Sequence, residues 1–377
     1  MTFARPWYAG GHRIERRWDA WRRGLKARMG WLDPATIQPF RGYGDGRRLR
    51  LKGRVLEVGG LARWHDRAGV GSNLMRMFHR FESDEIPDAR IRASSGGRSV
   101  EAISDEEGYF DVALDGLAAA QAGERWQMVD LELLAPLVRD QHPVRLAAPV
   151  LMPPPAAGFA VVSDVDDTII RTGATKLLRS LRTTLFTSVE GRVPFKGIGA
   201  FYRALERGAG GAAGNPIFYV SSSPWNLYDL LEEFMRLNEI PSGPLLLRDL
   251  GWDEGKLIAG RHEDHKLEAI ETLLDFYSSL RFILIGDSGQ HDAASYREVV
   301  RRHPGRILAV SIREVARASG RGNAADEQLD AVRAAGVEAV LCPDLLQAAA
   351  NAASHGWIEG PAVEAVRAEV AAQKRAA

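Results

Sequence analysis

The stretch Phe159-Ala-Val-Val-Ser-Asp164-Val-Asp166-Asp167-Thr168-Ile-Ile changes character abruptly halfway along. Its first half is a short apolar run, as a parallel strand buried on both faces shows. It then places three carboxylates within four residues. Crowded carboxylates repel one another and resist leaving water, so a purely structural strand would end at lower cost in apolar residues. A divalent cation offsets that repulsion, and hard oxygen ligands suit Mg²⁺. The C-terminal end of a strand is also where open α/β sheets bind their ligands. The plainer reading of these residues alone is an acidic loop after a buried strand.

Outward from this stretch, towards the C-terminus, strands and helices alternate. Ile217-Phe-Tyr-Val, Leu245-Leu-Leu, Phe282-Ile-Leu-Ile, Ile307-Leu-Ala-Val and Val337-Glu-Ala-Val-Leu are apolar strand candidates. Amphipathic helices are expected between them, over 227–237 and 267–276 among others, and the alternation predicts a doubly wound parallel sheet. An alanine-rich segment, 360–377, is expected as a surface helix that frays at its end.

Three further stretches break the apolar pattern at strand ends. Ile217-Phe-Tyr-Val220 runs into Ser221-Ser222-Ser223-Pro224-Trp225. Pro224 suits a first helical position with Ser223 as its cap, and hydroxyls beside a helix N-terminus can hold phosphate; the cap alone is the blander reading. In His262-Glu-Asp-His265-Lys266, the lysine is expected at a helix start, against the macrodipole, which an anion held nearby would explain. Its alternatives are a solvated lysine or a zinc site built on His262 and His265, for which no third ligand is in view. In Phe282-Ile-Leu-Ile-Gly286-Asp287-Ser-Gly-Gln-His-Asp292 a buried strand again ends in an acid. Asp287 and Asp292 can complete a Mg²⁺ site begun by Asp164. Arg248 and Asp249 follow a strand at the expected rim, where Arg248 can bind a second anionic group or form a structural ion pair.

The N-terminal half has another texture. The period-two patterns Ala89-Arg-Ile-Arg-Ala, Phe110-Asp-Val-Ala-Leu and Val129-Asp-Leu-Glu-Leu predict half-buried strands, and Asp105-Glu-Glu-Gly108 and Ser95-Gly-Gly-Arg predict tight turns. A helical interruption is expected at 72–81. Residues 49–152 therefore read as a small β-sandwich of immunoglobulin-like size. Pro153-Pro-Pro155 is a stiff junction to the second domain, expected over 156–345, with 346–377 as an alanine-rich helix or tail.

The 377 residues carry no net charge, yet 1–52 hold 13 Lys or Arg against 4 Asp or Glu. Within an expected basic arm, 1–48, Ile14, Trp18, Trp21, Leu25, Met29 and Leu32 make one helical stripe beside clustered arginines. Such a helix suits an anionic lipid surface; it equally suits packing on its own domain with the arginines solvated. No nucleic-acid motif accompanies it. The single Cys342 fits a reducing compartment, and neither a membrane-spanning run nor a secretory signal is expected. A cytoplasmic protein, peripheral at the membrane through its arm, is the localisation these features suggest.

In its order of motifs the chain resembles the haloacid dehalogenase superfamily of phosphotransferases. Asp164-Val-Asp166-Asp-Thr168 is similar to its nucleophile loop, Ser221 to its second-motif hydroxyl, Lys266 to its third-motif base, and Gly286-Asp287 with Asp292 to its acidic fourth motif. The forms Tyr-Val-Ser-Ser-Ser-Pro-Trp, Leu-Leu-Leu-Arg-Asp, His-Lys-Leu-Glu and Ile-Gly-Asp-Ser-Gly-Gln-His-Asp resemble the actin-patch-associated phosphatidate phosphatases and their bacterial relatives, over about residues 155–315. The resemblance implies a Rossmann-like fold and catalysis by Asp164, Asp166, Thr168, Ser221 and Lys266. It implies phosphate binding by Ser221, Ser222, Lys266 and Arg248, and Mg²⁺ held by Asp164, Asp166 (through its main-chain carbonyl), Asp287 and Asp292. The implied activity is Mg²⁺-dependent hydrolysis of phosphatidate or a related lipid phosphate through an aspartyl-phosphate. The gaps at 169–216 and 224–265 leave no room for a large cap, which suits a bulky substrate. A protein or nucleotide phosphatase, or a non-catalytic protein that binds through its β domain, are the alternatives.

Overall fold

The computed structural model describes residues 34–57, 85–117, 125–137, 143–166, 168–169, 195–248, 261–289, 291–315 and 321–375. The apolar stripe at 14–32, the helix at 72–81, Asp167, Asp249, the side chain of His262 and residues 170–194 and 249–260 of the gaps that bear on a cap lie outside the described residues.

The acidic stretch becomes strand β9 (Ala160–Asp164), all five residues of which are buried. It lies inside a six-stranded parallel sheet with β10 (Ile217–Pro224), β11 (Leu245–Arg248), β12 (Phe282–Asp287), β13 (Ile307–Arg313) and β14 (Glu338–Cys342), in the order β11-β10-β9-β12-β13-β14. The registers Val220↔Asp164 and Ile285↔Ser163 set the C-terminal ends of β10, β9 and β12 side by side. The chain builds outward from β9 on one side and then returns to its other side, so β9 stands where the strand order reverses and a crevice opens.

Seven helices among the described residues accompany the sheet: α1 (Ile198–Arg207), α2 (Tyr228–Leu237), α3 (Arg261–Phe276), α4 (Asp292–Arg302), α5 (Arg321–Ala334), α6 (Leu345–Ser354) and α7 (Gly360–Arg375). Alternate strand residues face opposite ways. Ala160, Val162, Phe218 and Leu284 therefore join Ile270 and Leu273 of α3, Tyr296 of α4 and Leu329 of α5 in one buried core. On the opposite face Ser163 meets Tyr202 of α1, whose ring stacks on Tyr219 at 6.4 Å. Helices thus cover both faces, and the sheet can be apolar throughout.

The N-terminal strands are β1 (Ala35–Pro39), β2 (Gly42–Gly44), β3 (Arg48–Glu57), β4 (Arg90–Ser95), β5 (Arg98–Ile103), β6 (Tyr109–Asp115), β7 (Trp126–Ala135) and β8 (Arg145–Leu151). The expected turns form: Gly96 and Gly97 adopt φ of 54° and 74° between β4 and β5, the geometry of a tight two-residue hairpin. Asp105 Oδ1 accepts from the backbone of Glu107 and Tyr109 at 2.9 and 2.8 Å. The ten-residue β3 pairs with β1, β2 and β6, which ties all eight strands into one sheet, β1-β3-β2-β8-β7-β4-β5 with β6 on β3. That sheet is largely antiparallel, with a parallel pair at β2 and β8.

Strands β1 and β2 fall inside the stretch expected as a basic arm, so its span of 1–48 is too long at its C-terminal end. The chain divides into two compact units, one of Met1–Pro39, Lys52–Ala113 and Val129–Ala148, the other of Phe40–Leu51, Leu114–Met128 and Pro149–Ala377. The alanine-rich segment forms two helices, Leu345–Ser354 and Gly360–Arg375. Helix α7 buries Val366, and its Glu369 pairs with Arg203 of α1 at 2.9 Å.

Candidate active site

Strand β9 delivers Asp164 to the sheet's C-terminal edge with 1% of its surface exposed. Among the described residues neither carboxylate oxygen accepts a hydrogen bond. The ammonium of Lys266 lies 2.8 Å from Oδ1 in a buried ion pair. Burial raises the Asp164 pKa well above the ordinary carboxylate value; Lys266 opposes this, while Asp292, Asp166 and Asp287 add to it.

Lys266 is buried and also donates to Asp292 Oδ1. Burial by itself would pull its pKa down, but Asp164 and Asp292 outweigh burial and hold it above the ordinary lysine value. The lysine is not at a helix start, because α3 begins at Arg261 and Lys266 sits in its second turn. The two carboxylates account for its burial, and the macrodipole argument falls away.

Strand β12 ends in Asp287, fully buried. Its Oδ1 accepts from the Gly289 amide at 2.6 Å, and Thr168 Oγ1 lies 3.5 Å from its Oδ2. Asp292 opens α4 and turns its Oδ2 back to the Asp287 amide at 3.0 Å. Gly286 makes room for that return, since a Cβ there would stand 2.4 Å from Asp292 Oδ2. Ligand oxygens of Asp164, Asp287 and Asp292 all lie within 4.8 Å of one another. The all-oxygen donor set, with Asp164 Oδ2 accepting no hydrogen bond among the described residues, fits a hard divalent cation.

Asp166 takes a different position. Its Oδ2 accepts from Ser221 Oγ at 2.6 Å and from Ser223 Oγ at 3.2 Å. Ser222, between them, is half-buried. The expected cap at Ser223 and Pro224 does not form. β10 runs on through Pro224, pairing it with Arg248 beyond a register shift. A 3₁₀ turn, Trp225–Leu227, follows without a side-chain cap, and α2 then begins, also uncapped by a side chain. Both hydroxyls are engaged with Asp166, which leaves neither for capping. Arg248 stands at the C-terminal end of β11, beside β10.

Sequence reasoning missed two supports of this site. Ser223 is one, and the period-two spacing of Ser221 and Ser223 was the available signal. Tyr202 is the other: its hydroxyl lies 2.6 Å from Ser163 Oγ, which donates to the Asp164 carbonyl at 2.7 Å. A tyrosine in an amphipathic helix carries no mark of such a role. Together these elements put an ion-paired carboxylate, a second carboxylate held by hydroxyls and a candidate cation site at one sheet edge.

Residues 159–314 match the family described as "Phosphatidate phosphatase APP1, catalytic domain". The chain is similar to Phosphatidate phosphatase APP1 of Saccharomyces cerevisiae, 32% identical over 156 residues, which covers 41% of this chain and 26% of that protein. It is also similar to an uncharacterized protein of Schizosaccharomyces pombe, 28% identical over 162 residues, covering 42% of this chain and 25% of that one. The match thus spans about a quarter of each relative's length. Among solved structures, a carbohydrate acetylesterase from Xanthomonas citri aligns over 82% of this chain and 68% of its own at 11% identity. Its TM-score of 0.29 is too low to bear on the fold.

Proposed function

We propose that this chain is a phosphoric monoester hydrolase, with phosphatidate or a related lipid phosphate as substrate and diacylglycerol and phosphate as products. One observation carries the reading. The segment that matches a phosphatidate phosphatase catalytic domain is the segment that gathers Asp164, Asp166, Ser221, Lys266, Asp287 and Asp292 at one end of a parallel sheet.

A phosphomonoester repels anionic nucleophiles, so catalysis needs positioning and neutralisation of charge. Asp164 attacks phosphorus, and the bond to the alkoxide leaving group breaks as the aspartyl-phosphate forms. Asp166 gives its proton to that alkoxide and later takes one from the water that attacks the phosphorus of the intermediate, releasing inorganic phosphate and restoring Asp164. Lys266 and Ser221 bind phosphoryl oxygens, and Ser222 and Arg248 are proposed to assist. Thr168, within reach of Asp287, helps to hold the acidic cluster. Asp164, Asp287 and Asp292, with the main-chain carbonyl of Asp166, would hold Mg²⁺. When bound there, the ion supplies positive charge to the phosphoryl group.

We propose a cytoplasmic location, peripheral to the membrane, in keeping with a lipid substrate and a basic N-terminal sequence. No helix among the described residues is long and apolar enough to cross a membrane. The test is phosphate release with and without Mg²⁺ from phosphatidate in mixed micelles, phosphopeptides and soluble phosphomonoesters. Mg²⁺-dependent release that is fastest on phosphatidate supports the proposal; preference for a phosphopeptide or nucleotide replaces the substrate, and no release from any ester overturns it.

A further inference from the structure

Two side chains of β10 converge on Asp166, and the chemistry above uses only one. Ser221 and Ser223 are two apart on extended backbone and so project to the same side. Ser221 Oγ donates to Asp166 Oδ2 at 2.6 Å; Ser223 Oγ approaches the same oxygen at 3.2 Å and Oδ1 at 3.4 Å. The Ser223 amide in turn donates to Ser221 Oγ at 2.9 Å. That amide occupies one lone pair of the Ser221 hydroxyl and biases where its single proton points.

A hydroxyl has one proton to give. If Ser221 gives it to a phosphoryl oxygen, Asp166 loses its shortest hydrogen bond at the moment it must aim at the leaving group. Ser223, 8% exposed and engaged in no helix cap, is a second hydroxyl donor already within reach of both Asp166 oxygens. We propose that Ser223 is a positioning residue: its hydroxyl holds Asp166 towards the leaving-group oxygen while its amide frees Ser221 for phosphate. The proposal rests on the phosphatase reading above.

Substitution of the Ser223 side chain leaves the amide in place, so the two functions separate. Ser223→Ala and Ser223→Thr are compared with wild type on phosphatidate, whose alkoxide needs a proton, and on p-nitrophenyl phosphate, whose phenolate leaves without one. Ser223→Ala is expected to lower kcat on phosphatidate about tenfold while KM and the p-nitrophenol burst rate stay within about twofold. Ser223→Thr, which restores the hydroxyl, should recover most of the loss. Thermal unfolding checks that the variants fold. Should Ser223→Ala not fold, Ser223→Cys, nearly isosteric with a weak donor, takes its place with the same expectation.

Unchanged turnover of phosphatidate, a p-nitrophenol burst slowed as much as phosphatidate turnover, or a rise in KM alone would overturn the assignment of Ser223. Wild-type protein that releases phosphate from no ester would instead overturn the phosphatase reading, and this inference with it.

Discussion

Burial, with the nearby charges of Asp292, Asp166 and Asp287, keeps the Asp164 carboxyl protonated to higher pH than its ordinary value of 3.8. Between those two points the native state binds a proton that the unfolded chain has lost, so stability falls as pH rises. An amide is nearly isosteric and never ionises. In the presence of chelator, Asp164→Asn should match wild type near pH 4 and exceed it in urea unfolding at about pH 7. An unchanging difference across that range would contradict the electrostatic account of the site. Gly286 is constrained by volume instead. In Gly286→Ala the new Cβ would stand 2.8 Å from Asp292 Cβ, against the first turn of α4. The expected cost is about 1–3 kcal/mol of stability from overpacking, together with a higher Mg²⁺ requirement in phosphatase assays. Wild-type values for both would show that Asp292 can move without consequence.

At the scale of elements, the parallel sheet was legible because strands buried on both faces leave unbroken apolar runs, and β9 and β12 end those runs in acids. Asp164 and Asp287 were legible for the same reason, and Asp292 by its spacing five residues after Asp287. Ser223 and Lys266 were placed wrongly because local rules favour capping and helix starts, whereas their tertiary partners, Asp166 and Asp164 with Asp292, decide their positions. The joining of the N-terminal strands through β3 left no trace, since period-two patterning specifies a face and not a neighbour. The last helix was legible from its alanine-rich composition, but its packing partners were not. Its Val366 is fully buried, and Val366 and Val370 lie against Gly197 at the start of α1. Removing residues 360–377 should therefore lower the melting temperature by several degrees, as loss of about 2 kcal/mol or more would in a protein of this size. An unchanged melting curve would make α7 an appendage after all.

On the scale of the whole molecule, the matched segment, 159–314, contains every residue assigned to chemistry and none of the basic N-terminus. The eight Lys or Arg of residues 1–33 would each contribute about 1 kcal/mol at an anionic surface, attenuated by salt. Deletion of 1–33, which spares β1, should weaken flotation with phosphatidate-containing liposomes at low salt and leave turnover of p-nitrophenyl phosphate unchanged. Unfolding of the shortened chain, or equal loss on soluble and lipid substrates, would make the segment structural.

The central claim is that Asp164 becomes phosphorylated. Because Asp166 is assigned the proton transfers, Asp166→Asn should still be phosphorylated by p-nitrophenyl phosphate, whose leaving group needs no acid, and should then turn over slowly. The measurement is rapid quenching of that variant during a single turnover with Mg²⁺, followed by borohydride reduction and peptide mass mapping. The account predicts that Asp164 is converted to homoserine in proportion to the p-nitrophenol released. Stoichiometric p-nitrophenol with Asp164 unmodified, or with the label on another residue, would contradict it.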